Sequence, residues 1–333
     1  MVQKIDFMRV RVYNVLVANS IFRRVFMKKE EFSYPSSDKK TMIHAIRWIP
    51  EEGPKAILQI VHGMTEYVDR YDRFARFLAD NGFLVVGNDH LGHGQSVTEE
   101  DRLGFFAEEG GNEKVLSDIH RLHEITAAAY PDRPYFLLGH SMGSFLCRQY
   151  IAEHGNTLSG AIVMGTGMQP AAVTAFGKEL CKLIAGIKGW GHRSGMVDRI
   201  ATGSYNKKFE GNTGYEWLST DREHVAKYAK DPLCTYIFTL NGYYNMFDSI
   251  HKLAGKNYVE GTPKDLPVLF VSGADDPVGD YGKAVQKVYD SFGKMGMKDV
   301  TLILYPGDRH EILSEKDKET VDRDILSWMT ARM

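Results

Sequence analysis

The sequence predicts an α/β fold, a doubly wound and mostly parallel sheet with helices on both faces and a helical cap inserted between two core strands. Three observations predict it. Short apolar runs of strand length alternate with helix-period stretches: Ala56–Val61, Phe83–Val86, Tyr135–Leu138, Ala161–Met164, Val268–Ser272 and Val300–Tyr305. Continuous apolar runs suit strands buried on both faces, as in a parallel sheet. The alternation breaks once, after Gly165, and resumes near Gly261. Finally, Tyr135–Leu138 runs straight into Gly139-His140-Ser141-Met142-Gly143, and a helical pattern follows at Phe145, Leu146, Tyr150 and Ile151. That is strand, sharp turn, helix, with a serine at the corner.

Residues 1–31 read as an N-terminal basic extension. Val10, Tyr13, Val17, Ile21 and Val25 recur at helical spacing among Arg9, Arg11, Arg23, Arg24, Lys28 and Lys29. A basic amphipathic helix suits either an anionic membrane surface or packing against the domain. Asn14, Asn19 and Ser20 interrupt its apolar side and Arg23-Arg24 follow, which argues against a signal peptide.

Residues 32–165 make the first part of the core. Met42–Ile49 alternates after the turn residues Ser36-Ser37-Asp38 and reads as an antiparallel edge hairpin. Ala56–Val61 ends in His62-Gly63-Met64. Tyr71–Leu78 reads as an amphipathic helix closed by Asn81-Gly82, and Phe83–Val86 leads into the glycine-rich loop Asp89–Ser96. Lys114–Ala129 is a second helix. Residues 166–261 are the cap, helical in patches, with Leu180, Leu183, Ile184 and Ile187 set against Lys178, Lys182 and Lys188. Such an insertion builds a substrate pocket over a rigid sheet. Residues 262–333 return to the core, with a helix from about Gly282 and a last one near Glu315–Met329.

A serine hydroxyl attacks only if a base removes its proton, and the base must be oriented by an acid. The turn lifts the Ser141 hydroxyl clear of the sheet and sets it at a helix N-terminus, whose dipole favours developing negative charge. Gly139 and Gly143 flank it because the neighbouring chain passes too close for side chains there. Acid and base then follow in chain order, each on a loop at the carboxyl end of a strand. One strand ends in Gly273-Ala274-Asp275-Asp276-Pro277, the next in Pro306-Gly307-Asp308-Arg309-His310. His310, the only histidine after a late core strand, is the base. Asp276, fixed by Pro277, is the preferred acid, with Asp275 left as a solvated carboxylate or a helix cap.

Two backbone N–H groups must meet the oxyanion. They come from Met142, after the nucleophile, and from Met64 in the loop His62-Gly63-Met64. Gly63 and Glu66 are assigned to substrate binding, and capping of the next helix is the alternative for Glu66 and Tyr67. His90 and His93 lack a third ligand at suitable spacing and read as loop geometry, not a metal site.

These motifs together carry a family resemblance. Tyr130-Pro131 through Gly139-His140-Ser141-Met142-Gly143, the loop Asp89-His90-Leu91-Gly92-His93-Gly94-Gln95-Ser96, and His62-Gly63 followed by Glu66 resemble the monoacylglycerol lipase and lysophospholipase group of α/β-hydrolases. The resemblance runs from about Ser33 to Gly165 and again from about Leu266 to the C-terminus. It implies Ser141 as nucleophile, Asp276 as acid, His310 as base, and Met64 and Met142 as oxyanion donors. Ser144 stands where a second glycine is common, a small change; two further departures bear on the substrate, a longer cap and the additional basic extension.

Composition narrows the classes further. The chain is 43% hydrophobic and 25% charged, as for a soluble globular protein with a large core, and its net charge of −2 leaves no nucleic-acid footprint. Cys147, Cys181 and Cys234 are odd in number and scattered, which suits reduced thiols in a cytoplasmic compartment. The expectation is a serine carboxylesterase without metal or organic cofactor. Its partner is a small mono-acyl lipid ester such as monoacylglycerol or lysophospholipid. Peripheral membrane contact would run through residues 1–31 or the cap. The alternatives are a short-chain esterase, thioesterase or peptidase on the same machinery, or a ligand-binding protein with a vestigial triad.

Overall fold

A computed structural model describes residues 11–12, 27–97, 99, 102–254 and 260–333. The strands are β1 (Arg11–Val12), β2 (Lys28–Pro35), β3 (Met42–Ile49), β4 (Ala56–Val61), β5 (Phe83–Asn88), β6 (Tyr135–His140), β7 (Gly160–Met164), β8 (Val268–Gly273) and β9 (Val300–Tyr305). Among the described residues they form one sheet in the order β1-β2-β3-β5-β4-β6-β7-β8-β9. The β2–β3 hairpin and the β3–β5 pair are antiparallel. From β5 through β9 every pair is parallel.

The sequence pattern explains the layering. Every residue of β4, β5, β6, β7 and β8 is buried. Successive side chains of each strand point to opposite faces. On one face Ile57, Val61, Leu137, Val163 and Phe270 meet Ile119 and Leu122 of α2 (Gly111–Ala129) and Leu146 and Ile151 of α3 (Met142–His154). On the other, Leu58, Ile60, Leu138, Ile162 and Leu269 meet Phe74 and Leu78 of α1 (Asp72–Asp80) and the last helix. Helices therefore cover both faces, and this is the doubly wound fold the alternation predicts.

The edge hairpin forms around Asp38, whose Oδ1 accepts the N–H groups of Lys40 and Thr41, both at 2.8 Å. Strand β2 begins at Lys28, so Lys28–Glu31 join the sheet instead of the extension. The residues of the expected amphipathic helix, Val10, Tyr13, Val17, Ile21 and Val25, lie outside the described residues.

Between β7 and β8 the chain forms α4 (Ala171–Lys188), α5 (Gly195–Ala201), α6 (Arg222–Tyr228) and α7 (Leu240–Leu253), joined by short 3-10 turns. Here the structure corrects the face read for α4. Leu183 and Ile187 are 69% and 82% exposed, and Val173 and Phe176 are exposed too. The buried stripe is Thr174, Gly177, Cys181 and Ala185. Small residues let α4 lie close to α7, and a Cβ on Gly177 would stand 2.8 Å from the Phe247 ring. Close approach decided the face, leaving bulky apolar residues outside. The core resumes with β8, α8 (Lys283–Lys294), β9 and α9 (Lys318–Thr330).

Candidate active site

Register brings the candidate groups together. Val61 at the end of β4 pairs with Gly139 near the end of β6, which sets the loop after His62 beside the Ser141 turn. Gly273 pairs with Tyr305, setting the Asp276 loop beside the His310 loop. All four loops leave the carboxyl edge of the sheet.

Ser141 has φ 54° and ψ −120°, a conformation that costs a non-glycine residue energy and that the packed turn imposes. The flanking glycines have a steric reason. A Cβ on Gly143 would stand 2.0 Å from the Val61 carbonyl oxygen, and one on Gly139 would stand 2.2 Å from the Gly143 carbonyl oxygen. Gly63 is as constrained, since its Cβ would come within 2.9 Å of the Ser141 Cβ. The loop after β4 and the nucleophile turn are thus in contact.

His310 Nδ1 lies 2.9 Å from Asp276 Oδ2, with both residues buried. The other carboxylate oxygen of Asp276 accepts the Val278 N–H at 2.8 Å. Asp275 is exposed, and its backbone N–H bonds the Asp308 carbonyl. The imidazole therefore meets Asp276 and not its neighbour.

The histidines near the loop after β4 have structural work. His62 Nε2 accepts the His90 backbone N–H at 3.0 Å, so the ring proton sits on Nδ1, which donates to the Gly63 carbonyl at 2.8 Å. His62 stacks on His90 with centroids 3.9 Å apart, and His93 meets His62 edge-on. Burial pushes His90 down to about 3 and His93 to about 4, so both are neutral. Among the described residues no group of three or more His, Cys, Asp or Glu could hold a metal ion.

Glu66 borders the cavity that Ser141 also lines, and it is tied into the protein as well. It is buried, and both oxygens are taken by the protein. Oε1 accepts the Gly63 N–H at 2.5 Å, His140 Nδ1 at 2.9 Å and the Tyr71 hydroxyl at 3.0 Å, while Oε2 accepts from Arg70 at 3.1 Å. A carboxylate so engaged braces the loop. Tyr67 neither caps a helix nor lines the cavity, and its hydroxyl donates to Asp231 Oδ2 at 2.8 Å.

A cavity of 540 Å³ opens over these groups. Met64, Ser141, Met142 and His310 line it, with Phe145, Val173, Met246, Phe247 and Ile250 giving an apolar wall from α3, α4 and α7. Sequence reasoning missed Trp217, whose ring centroid lies 5.0 Å from that of His310. The backbone around Trp217 runs along the base loop, and the Glu311 N–H donates to the Leu218 carbonyl at 2.7 Å. It also missed Arg70, His224 and Glu311. The only signal for them was the Glu-x-x-x-Arg spacing at 66–70 and a glutamate following His310.

Asp308 sits between the two loops and is buried. Burial, reinforced by the carboxylates of Glu315 and Asp317, pushes its carboxyl up to about 7. The folded state then holds this proton more tightly than the unfolded chain, where an aspartate titrates near about 3.9. Stability from this group is complete below about pH 4 and is lost as pH rises towards about 7. Asp308→Asn should raise the melting temperature by about 2–4 °C at pH 8 and change it little at pH 4. Equal shifts at both pH values in a thermal melt would refute this.

The comparisons with known proteins cover the same core. The profile of the serine aminopeptidase S33 family matches residues 52–317. The chain belongs to this family. Its sequence is 27% identical to a monoacylglycerol lipase of Mycolicibacterium smegmatis, over 86% of this chain and 92% of that one. It is also 27% identical to a monoglyceride lipase homolog of Monkeypox virus, over 87% and 95%. Among solved structures it resembles a thermostable carboxyl esterase from Bacillus coagulans in complex with glycerol. That match has a TM-score of 0.85 at 30% identity, covering 91% of this chain and 98% of the esterase. This S33-family chain is an α/β-hydrolase.

Proposed function

We propose that this protein is a serine carboxylesterase that hydrolyses mono-acyl lipid esters through an acyl-enzyme. The observation that carries the reading is the convergence of Ser141, His310, Met64 and Met142 on one cavity, with His310 hydrogen-bonded to a buried Asp276. Ser141 attacks the ester carbonyl while His310 takes its proton. Asp276 holds the imidazole in the tautomer that leaves Nε2 free and stabilises the imidazolium. The N–H groups of Met64 and Met142 receive the oxyanion; each such donor is worth about 3 kcal/mol of barrier. His310 then protonates the leaving alcohol and activates water for deacylation.

The apolar wall from α3, α4 and α7 suits an acyl chain, and the volume falls in the range of small-molecule sites. Residues 166–261 act as the cap on the core of 32–165 and 262–333, whose sheet Lys28–Glu31 extend through β2. Membrane contact is assigned to α4, whose Phe176, Leu183 and Ile187 face outward. Among the described residues no helix is long and apolar enough to cross a membrane. The family description also admits a peptidase acting on aminoacyl amides.

A substrate panel tests these readings together: p-nitrophenyl esters from acetyl to palmitoyl, monoacylglycerol in detergent and in vesicles, and aminoacyl p-nitroanilides. The expected result is a maximum at medium or long acyl chains, glycerol release, and faster turnover from vesicles. A maximum at acetyl with monoacylglycerol untouched would move the function to small esters. Cleavage of the anilides alone would make the protein a peptidase.

A further inference from the structure

The buried polar groups behind the candidate triad form one connected block that the hydrolytic steps do not use. Arg70 is its centre. Its guanidinium meets Glu311 in a two-pronged pair, Nη1 to Oε1 and Nη2 to Oε2, both at 2.8 Å. The same Nη1 reaches Glu66 Oε2 at 3.1 Å, and the guanidinium carbon lies 4.8 Å from the Tyr228 ring centroid. Glu66 in turn accepts the Gly63 N–H, and Glu311 follows the base His310 directly in the chain. His224 of α6 approaches Glu311 from the insertion.

His140 completes the block. Its Nδ1 faces Glu66 Oε1 at 2.9 Å and its Nε2 faces the His310 carbonyl oxygen at 3.3 Å. Burial opposes a charge on this ring, but the Glu66 carboxylate outweighs it and raises the group. Arg70 and His140 thus both face the carboxylate of Glu66, in a site where an unpaired charge would be costly.

We propose that Arg70 and Glu311 are positioning residues for catalysis, locking the base loop to the oxyanion loop through Glu66. The inference rests on the triad assignment above. Its physical content is rigidity of relation. The two loops leave strands β9 and β4, which are not neighbours in the sheet, so hydrogen bonds along β-strands do not set their separation. The path Gly63 N–H, Glu66, Arg70, Glu311 spans that gap with charge-assisted bonds, which are short and directional. A forked guanidinium fixes angle as well as distance, and an ammonium does not. Misplacing reacting groups by about 1 Å costs about 10²-fold in rate.

The test compares Arg70→Lys and Glu311→Gln with Arg332→Lys. Arg332 makes a similar two-pronged pair with Asp299, Nε to Oδ2 at 2.9 Å and Nη2 to Oδ1 at 2.8 Å, and its Nη1 bonds the Trp328 carbonyl, so none of these bonds reaches a catalytic loop. Each variant is assayed well below its own melting temperature, for kcat and KM on a medium-chain ester and for the rate of fluorophosphonate labelling at Ser141. Arg70→Lys and Glu311→Gln should lose roughly 10²-fold in kcat with KM within about threefold. Their labelling rates should fall in proportion. Arg332→Lys should lose some thermal stability and keep its kcat.

If the first two variants keep kcat within about threefold and lose only stability, their role is structural and the proposal fails. It also fails if neither variant folds. A wild-type protein that no fluorophosphonate labels would overturn the triad assignment itself, a result distinct from either of these.

Discussion

Ser141→Ala abolishes covalent labelling by a fluorophosphonate and lowers ester turnover by on the order of 10⁵- to 10⁶-fold, the scale of losing a triad nucleophile. The expectation follows from the turn. Ser141 sits at the N-terminus of α3 with φ 54° and lines the 540 Å³ cavity together with His310. Alanine keeps the Cβ that already fits beside Gly63 and removes only the oxygen. The Ser141 backbone N–H, bonded to the Met164 carbonyl at 3.0 Å, is unaffected. The variant should therefore melt within a few degrees of wild type. Labelling that persists in the folded variant, read by mass, would place the nucleophile elsewhere and sink the assignment.

Asp276→Asn should lower kcat by about 10⁴-fold, while Asp275→Asn should change it by less than about threefold. The asymmetry comes from burial and hydrogen bonding. Asp276 is fully buried, with one oxygen on His310 Nδ1 and the other on the Val278 N–H. The Val278 N–H can only donate, so it holds the asparagine carbonyl oxygen on its own side and turns the amide NH₂ towards His310. The imidazole is then forced to present an unprotonated Nδ1, which puts its proton on Nε2, where it can no longer accept from serine. Asp275 faces solvent and touches the site only through its backbone. The two single variants, assayed side by side on one ester, decide the matter. Loss of turnover in Asp275→Asn and not in Asp276→Asn would exchange their roles.

Several elements were legible because their causes are local. Val300–Tyr305 matches β9 residue for residue, and Phe83–Val86 falls short of β5 only by its last two residues. A run of apolar residues bounded by turn residues carries its own strand signal. The glycines at 139 and 143 announced close approaches, which the Gly143 and Val61 carbonyls respectively make. The inner face of α4 was not legible. Hydrophobicity alone points Leu183 and Ile187 inward, whereas contact with Phe247 admits only the stripe through Gly177.

By itself the sequence determined the alternation of strand and helix, the serine turn, and the chain order of serine, aspartate and histidine. The first two depend on residues within a few positions of one another, where backbone preference and side-chain period act directly, and the third is read straight along the chain. Tertiary structure alone decided that Asp276 meets the imidazole, that Glu66 braces the oxyanion loop, and that Arg70 joins Glu311 from 241 positions away. Those pairings are set by strand order and register. A sheet brings distant loops to one edge, and no pattern within a single segment records which side chains will meet there.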